Sequence, residues 1–458
     1  MTSSLKRGGN SQNIEIMEKT MQWFTKQIIG SALIALPLSL TALPSQAENL
    51  TQVWQLAQAE DVQLAIAAAD IDLQAEKRQQ AKAATLPSIG ATANLNYVDN
   101  SAIGVANTGQ SYTLDMKQGI YHRDVILQSQ QVELLVDNSR LGYQLAEQQL
   151  IMRVAAAYFA QLEAQDAVQL ALQEHDSVAE RHKEIQARYD VGVSNLVTLQ
   201  EAQARLDMMQ AQIVATRGQL AESHYALGEI LNRELSSLSP LPASASSIEL
   251  NFLPLQTLDV WVADAEQNSL QLQQIRKQLQ VARVNIQAEE AALTPGIDLI
   301  AQYSHTDNTH VLYGADADQY MVGIKISMPI YTGGYTQSKV AEATLLQRQL
   351  QRQLQQAQRS IGKAVRSAYV SVDSAQQLVQ AREQVQASAE LAFKAMESAV
   401  DVGSRTHVDL LDVQSQVFSA RRDLAQAKYQ LLLSQLQLRL IAGSLSPADL
   451  QTIDALLL

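Results

Sequence analysis

The 458-residue chain has no cysteine. That excludes disulfides and thiol catalysis, and also a lipid-modified N-terminal cysteine. Aromatic residues are 5% and charged residues 18%, little for a thick globular core, while alanine, leucine and glutamine abound, as in long helices. Proline occurs nine times, and nowhere in residues 88–239 or 330–446. Those spans are free to form long helices and hairpins. The apolar run at residues 28–42, broken by Pro37, is too short for a spanning helix of about 20 residues. Catalytic signatures are missing as well. The histidines form no His-Glu-x-x-His pair, and no nucleophile elbow, Walker loop or dinucleotide fingerprint appears. The expectation is a protein that is not an enzyme and holds no cofactor. The net charge of −13 argues against nucleic acid as a partner.

The N-terminus reads as a secretory signal. Lys19 and Lys26 precede the apolar run, and Ser45-Gln46-Ala47 offers small residues for a signal peptidase. Cleavage is expected after Ala47, from a start at Met1, Met17 or Met21. It removes four basic and two acidic side chains and leaves a charge of about −15.

What is present is a repeat. Ala157-Tyr158, Asp190-Val191-Gly192 and Gln203 recur as Ala368-Tyr369, Asp401-Val402-Gly403 and Gln414, always 211 residues on. A constant offset over nearly fifty residues marks one structural unit used twice. The predicted layout is a signal peptide at 1–47, a first repeat at 48–232, a linker at 233–256, a second repeat at 257–445 and a C-terminal tail at 446–458. Each repeat runs helix (residues 50–85 or 258–293), β-hairpin (about 88–121 or 296–331), long helix, tip turn (about 190–195 or 401–406) and return helix. The long helices, at about 124–189 and 337–400, would each reach roughly 100 Å. Val154, Tyr158 and Leu162, like Val365 and Tyr369, recur at the three- and four-residue spacing of a coiled-coil-like seam.

The hairpins alternate. Ile89, Ala91, Ala93, Leu95 and Tyr97 share one face of the first run, and Tyr112, Leu114 and Met116 one face of the second. Leu299, Ala301 and Tyr303, then Tyr320, Val322, Ile324 and Ile326, repeat the pattern. Each run is about ten residues, the length of a tilted membrane-spanning strand. Four strands cannot close a barrel, and an open edge inside a bilayer leaves backbone groups without partners. Other copies must complete the sheet, giving eight strands from two chains or twelve from three.

The segments Glu48-Asn49-Leu50-Thr51-Gln52-Val53-Trp54, Met328-Pro329-Ile330-Tyr331-Thr332-Gly333-Gly334, residues 401–412 (DVGSRTHVDLLD) and Leu440-Ile441-Ala442-Gly443-Ser444-Leu445 resemble, in order and in one frame, the TolC-type outer-membrane efflux family, in its non-lipidated branch. The resemblance implies a mixed α and β membrane protein: a homotrimer with one 12-stranded barrel in the outer membrane of a Gram-negative bacterium and a long α-helical barrel in the periplasm. An equatorial belt would come from residues 233–256 and the C-terminal segment. The implied function is a passive exit duct for small toxic compounds or secreted proteins. The implied partners are outer-membrane lipid, a periplasmic adaptor and an inner-membrane pump of RND or ABC type.

Candidate site residues cluster at the turns. Thr406 and Asp409 fit a capping box. Asp409 and Asp412, three apart at a helix start, share a face. The resemblance places both at the periplasmic constriction, where three copies would form a ring of carboxylates that could bind a cation. It also matches Arg405 to an arginine that holds the closed tip, but its acidic partner falls on Thr198 and the gate tyrosine on Val400. A looser or differently wired gate is the expectation. Gly192 and Gly403 read as helix C-caps. The resemblance adds that these turns, with Val191 and Val402, line the adaptor-docking grooves. Two other readings use the same helices. One is a structural or adhesive coiled-coil surface protein, which would carry long external loops. The other is a soluble periplasmic adaptor, which would not need four strands of spanning length.

Overall fold

The computed structural model describes residues 48–100, 105–235, 237–242, 245–246, 249–253, 256–307 and 317–457. The signal segment lies outside these residues, as do the hairpin tips at 101–104 and 308–316. The element order repeats. In the first half, α1 (Leu50–Glu60), α2 (Val62–Ala83), β1 (Ser88–Asn100), β2 (Val105–Tyr121), α3 (Arg123–Asp190) and α4 (Leu196–Leu231) follow one another. In the second, α5 (Leu258–Asn268), α6 (Leu270–Ala291), β3 (Gly296–Asp307), β4 (Ala317–Ser327), α7 (Tyr335–Asp401) and α8 (His407–Ala442) do the same, and α9 (Pro447–Asp454) ends the chain. Among the described residues no helix is long and apolar enough to cross a membrane.

The proline-free spans do form long helices, with 68 residues in α3 and 67 in α7. Their apolar seams are the core. Val154, Tyr158 and Leu162 are buried with Leu424, Leu431 and Leu432 of α8, and Val365, Ala368 and Val372 with Trp261 and Leu272. The Tyr158 hydroxyl donates to the carbonyls of Glu48 (3.2 Å) and Ser239 (2.9 Å), tying α3 to the chain start and the linker. Buried Gln435 on α8 grips the linker again, donating to the Leu250 carbonyl (2.9 Å) and accepting from the Phe252 amide (3.0 Å). Such pairing of buried backbone groups is what lets a linker lie against a core.

Two expectations need correction. The helices at 50–85 and 258–293 are each broken in two. Asp61 interrupts the first: its carboxylate caps the Leu64 amide at 2.7 Å and pairs with Arg153 on α3 at 2.9 Å. Ser269 occupies the matching place in the second. The C-terminal segment is not a tail. Ser446 and Asp449 cap α9, Leu450 and Ile453 are fully buried, and Asp454 accepts from the amides of Leu50 (2.8 Å) and Thr51 (3.0 Å). A carboxylate at those free amides suits a helix N-terminus, so the last helix closes onto the first.

The four strands form one antiparallel sheet in the order β1-β2-β3-β4, leaving outer edges on β1 and β4. At 13, 17, 12 and 11 residues they exceed the expected ten. Register carries the alternation across the whole sheet. Ala91, Leu114, Tyr303 and Tyr320 form one row, and Ile89, Met116, Ala301 and Val322 the next. Thr92, Thr113, Ser304 and Gln319 form a row of the opposite, polar face. The apolar face is uncovered in one chain: Tyr320 and Val322 are each 77% exposed.

Candidate functional site

The two halves end at one side in turns built alike. Residues 191–195 join α3 to α4, and 402–406 join α7 to α8. Gly192 (φ +75°) and Gly403 (φ +77°) lie in the left-handed region, which costs glycine nothing. Their amides donate to Tyr189 and Val400, both at 2.9 Å. Asn195 caps α4, accepting from the amide (2.9 Å) and hydroxyl (3.1 Å) of Thr198. Thr406 and Asp409 form a reciprocal capping box at 3.1 Å in both directions. These bonds from Thr406, aided by the Arg405 charge, hold the Asp409 carboxyl below its usual range.

Asp412 is wired differently. Its carboxylate lies 3.0 Å from the Arg205 guanidinium on α4, so one of the two proposed ring carboxylates is already half of an ion pair. A second link joins α3 to α7. Arg181 reaches Glu184 on its own helix and Glu397 on α7, each at 3.0 Å. Glu184 also accepts from Arg188 at 3.1 Å, and His407, the first residue of α8, lies 3.9 Å away. Burial would raise the Glu184 pKa, but the Arg181 bond with the charges of His407, Arg181 and Arg188 outweighs it and lowers the value. Burial pushes His407 downward, and neither ring nitrogen has a hydrogen-bond partner. Higher up, Arg421 of α8 pairs with Glu390 of α7 at 2.9 Å.

The residues singled out as the gate are only partly brought together. Arg405 makes no ion pair among the described residues, and its charge acts on Asp409. Thr198 is occupied with Asn195, and Val400 is buried beneath its turn. Val191 and Val402, beside the two glycines, are 73% and 79% exposed and present apolar surface at the turns. Arg181, Glu184, Glu397, Arg205 and His407 were not anticipated. Arg181, Glu184 and Arg188 do carry a helical charge spacing, but nothing local points to partners more than 200 residues away. Arg181–Glu397 and Arg205–Asp412 span the two halves, so the turns are held together by exposed or half-exposed ion pairs. Such pairs are individually weak and suit a contact that opens.

Comparison with known proteins gives a consistent picture. The family described as "Outer membrane efflux protein" matches residues 53–233 and 261–444. Outer membrane protein TolC of Vibrio cholerae is 30% identical over 413 residues, covering 89% of this chain and 94% of its own. The alkaline protease secretion protein AprF of Pseudomonas aeruginosa is 27% identical, with 75% and 71% covered. The outer membrane protein VceC from Vibrio cholerae, a crystal structure, superposes with a TM-score of 0.73 at 15% identity, over 86% of this chain and 96% of that one.

Proposed function

Since the chain belongs to the outer membrane efflux protein family and is an outer-membrane exit duct of a Gram-negative bacterium, we propose how its parts divide the work. Channels of this family are trimers that serve efflux or secretion pumps. In our reading three copies of the sheet close a 12-stranded barrel, and α3, α4, α7 and α8 of each copy line the periplasmic tube. The observation that carries this is the register: one apolar face runs unbroken across all four strands, with an open edge on each side. An apolar outer face and a polar inner face are what a membrane barrel needs, and only further copies can satisfy the two edges.

The turns at 191–195 and 402–406 form the periplasmic end. Arg181–Glu397 and Arg205–Asp412 stand in for the link that Arg405 lacks, and together they hold the resting gate. Asp409, with Asp412 when released from Arg205, gives the entrance a negative charge that attracts cations. Val191 and Val402, with Gly192 and Gly403 behind them, offer the apolar turn surface on which an adaptor hairpin docks, while an inner-membrane pump of RND or ABC type supplies the energy. We assign the chain no catalytic step. AprF is named for protease secretion, which supports proteins as one cargo class beside small compounds. Export assays that compare Gly192→Trp and Gly403→Trp with wild type test the docking role: export is lost while the trimer still assembles. Undiminished export from the assembled variants would refute it.

A further inference from the structure

The polar face of the sheet holds four charged side chains near its helical end: Asp115 and Lys117 on β2, Asp298 on β3 and Lys325 on β4. Asp298 is the natural hub. Its side chain is 4% exposed, one oxygen takes His122 at 2.8 Å and the other takes Lys117 at 3.3 Å. Lys325 is the register neighbour of Asp298, yet it forms no ion pair among the described residues. It therefore stands unpaired on β4, an outer edge of the sheet.

Asp115 is the complementary case at the other edge. It too has no ion-pair partner among the described residues. Its register neighbour on edge strand β1 is Gly90, and a Cβ there would lie 3.0 Å from Asp115 Oδ1 and 3.1 Å from Oδ2. The carboxylate thus leans over Gly90, across β1 and toward the open edge. Only glycine leaves that path clear.

We propose that Lys325 of one copy pairs with Asp115 of the next, sealing each subunit seam on the lumen side of the barrel. The proposal rests on the trimeric-barrel reading above. Both β1 and β4 enter the seam antiparallel, since the sheet alternates throughout. Within one chain the row that starts at Ser88 passes Lys117 and Ile300 and ends at Gly323, and on β2, β3 and β4 it lies four residues from the helical end of each strand. The same depth carried over the seam sets Gly323 beside Thr92, and so Lys325 beside Gly90, of the next β1. The gap from there to β2 is about two strand spacings, roughly 10 Å, which an extended lysine and an aspartate leaning outward cover together. The pair would also order the assembly. A β4 edge carrying an unpaired lysine is repelled by another β4 edge and drawn to a β1 edge backed by Asp115.

Charge reversal tests this. Lys325→Asp and Asp115→Lys are made singly and together, and the fraction of trimer that survives detergent and heating is compared with wild type. Each single reversal is expected to lower that fraction by about threefold or more, as for the loss of a modest ion pair, and the double reversal to recover it to within about twofold. A double variant no better than the two singles combined would overturn the pair. A second measurement does not depend on stability. The natural chain has no cysteine, so Lys325→Cys with Asp115→Cys gives the only two thiols. A bismaleimide of about 10 Å is expected to link neighbouring chains into dimers and trimers on a denaturing gel. Assembled trimer without cross-links would also overturn the pair. If the wild-type chain forms no trimer at all, it is the barrel reading that fails.

Discussion

Arg205 and Asp412 are 207 residues apart in sequence and 3.0 Å apart in space. The contact joins the first return helix to the second just inside the turns. It also hides half of the charge that a ring of carboxylates would present. Arg205→Ala is therefore expected to expose Asp412 and make the trimer's pore more cation-selective, read as a shift of reversal potential in a salt gradient. Adding Asp412→Ala should cancel the shift. The pair is partly exposed, so its own worth is about 0.2–1 kcal/mol, and thermal stability should barely change.

In the proposed gate, Arg405 makes no ion pair among the described residues, and the family's acidic partner position falls on Thr198. Thr198→Asp is expected to supply that partner and lower the leak conductance of the resting channel. The aspartate stays compatible with the start of α4, since an acid there suits the helix N-terminus. A higher leak in this variant would contradict the wiring described for the tip.

Much of this molecule was legible in its sequence. Proline placement and the seam of Val154, Tyr158 and Leu162 gave the long helices, and strict alternation gave the strands, because each signal is carried by residues a few positions apart. Gly192, Gly403 and the Thr406–Asp409 box were readable for the same reason. The breaks at Asp61 and Ser269 were not. Asp61 caps α2 locally, but the Arg153 of α3 that pairs with it lies far off in sequence. Ser446, Pro447 and Asp449 do mark the start of α9 locally, but its docking shows only in Asp454 on the amides of Leu50 and Thr51. The links Arg181–Glu397 and Arg205–Asp412 depend on which helices become neighbours, and composition and periodicity do not encode that.

Asn232 and Gly443 occupy the same place in the two halves. Both end a return helix in the left-handed region, at φ +53° and +74°. They are not equally tolerant. A Cβ on Gly443 would collide with the backbone of Asn268 and Ser269, whereas Asn232 already carries a side chain. Asn232→Gly is expected to change stability by only a few tenths of a kcal/mol. Gly443→Ala combines a left-handed penalty of about 1–2 kcal/mol with that collision and should lower the unfolding temperature clearly. Thermal unfolding in detergent compares the two.

Glu163 and Asp166 share a face of α3, and Tyr429 of α8 donates to Asp166 at 2.7 Å. Burial raises both carboxyl pKa values, and for Glu163 the nearby Asp166 charge adds to it. A carboxyl raised on folding holds its proton more tightly in the folded state. It favours folding below the raised value and loses that contribution as pH rises through it. The assembly is therefore expected to gain heat resistance as pH falls from neutral into the raised range of these carboxyls. Glu163→Gln should flatten that dependence and raise the unfolding temperature at pH 7. An unchanged pH profile in this variant would contradict the assignment.

In the reading proposed above, ion pairs between the two hairpins of each chain keep a membrane-spanning duct closed at its turns. Single-channel conductance in planar bilayers tests it most directly, with the signal-cleaved wild-type trimer set against a variant carrying Arg181→Ala and Arg205→Ala together. Small, stable, cation-selective channels are expected for the wild type and a conductance several-fold larger for the variant, with the trimer intact. Equal conductance in the two, from equally well-assembled trimers, would contradict it.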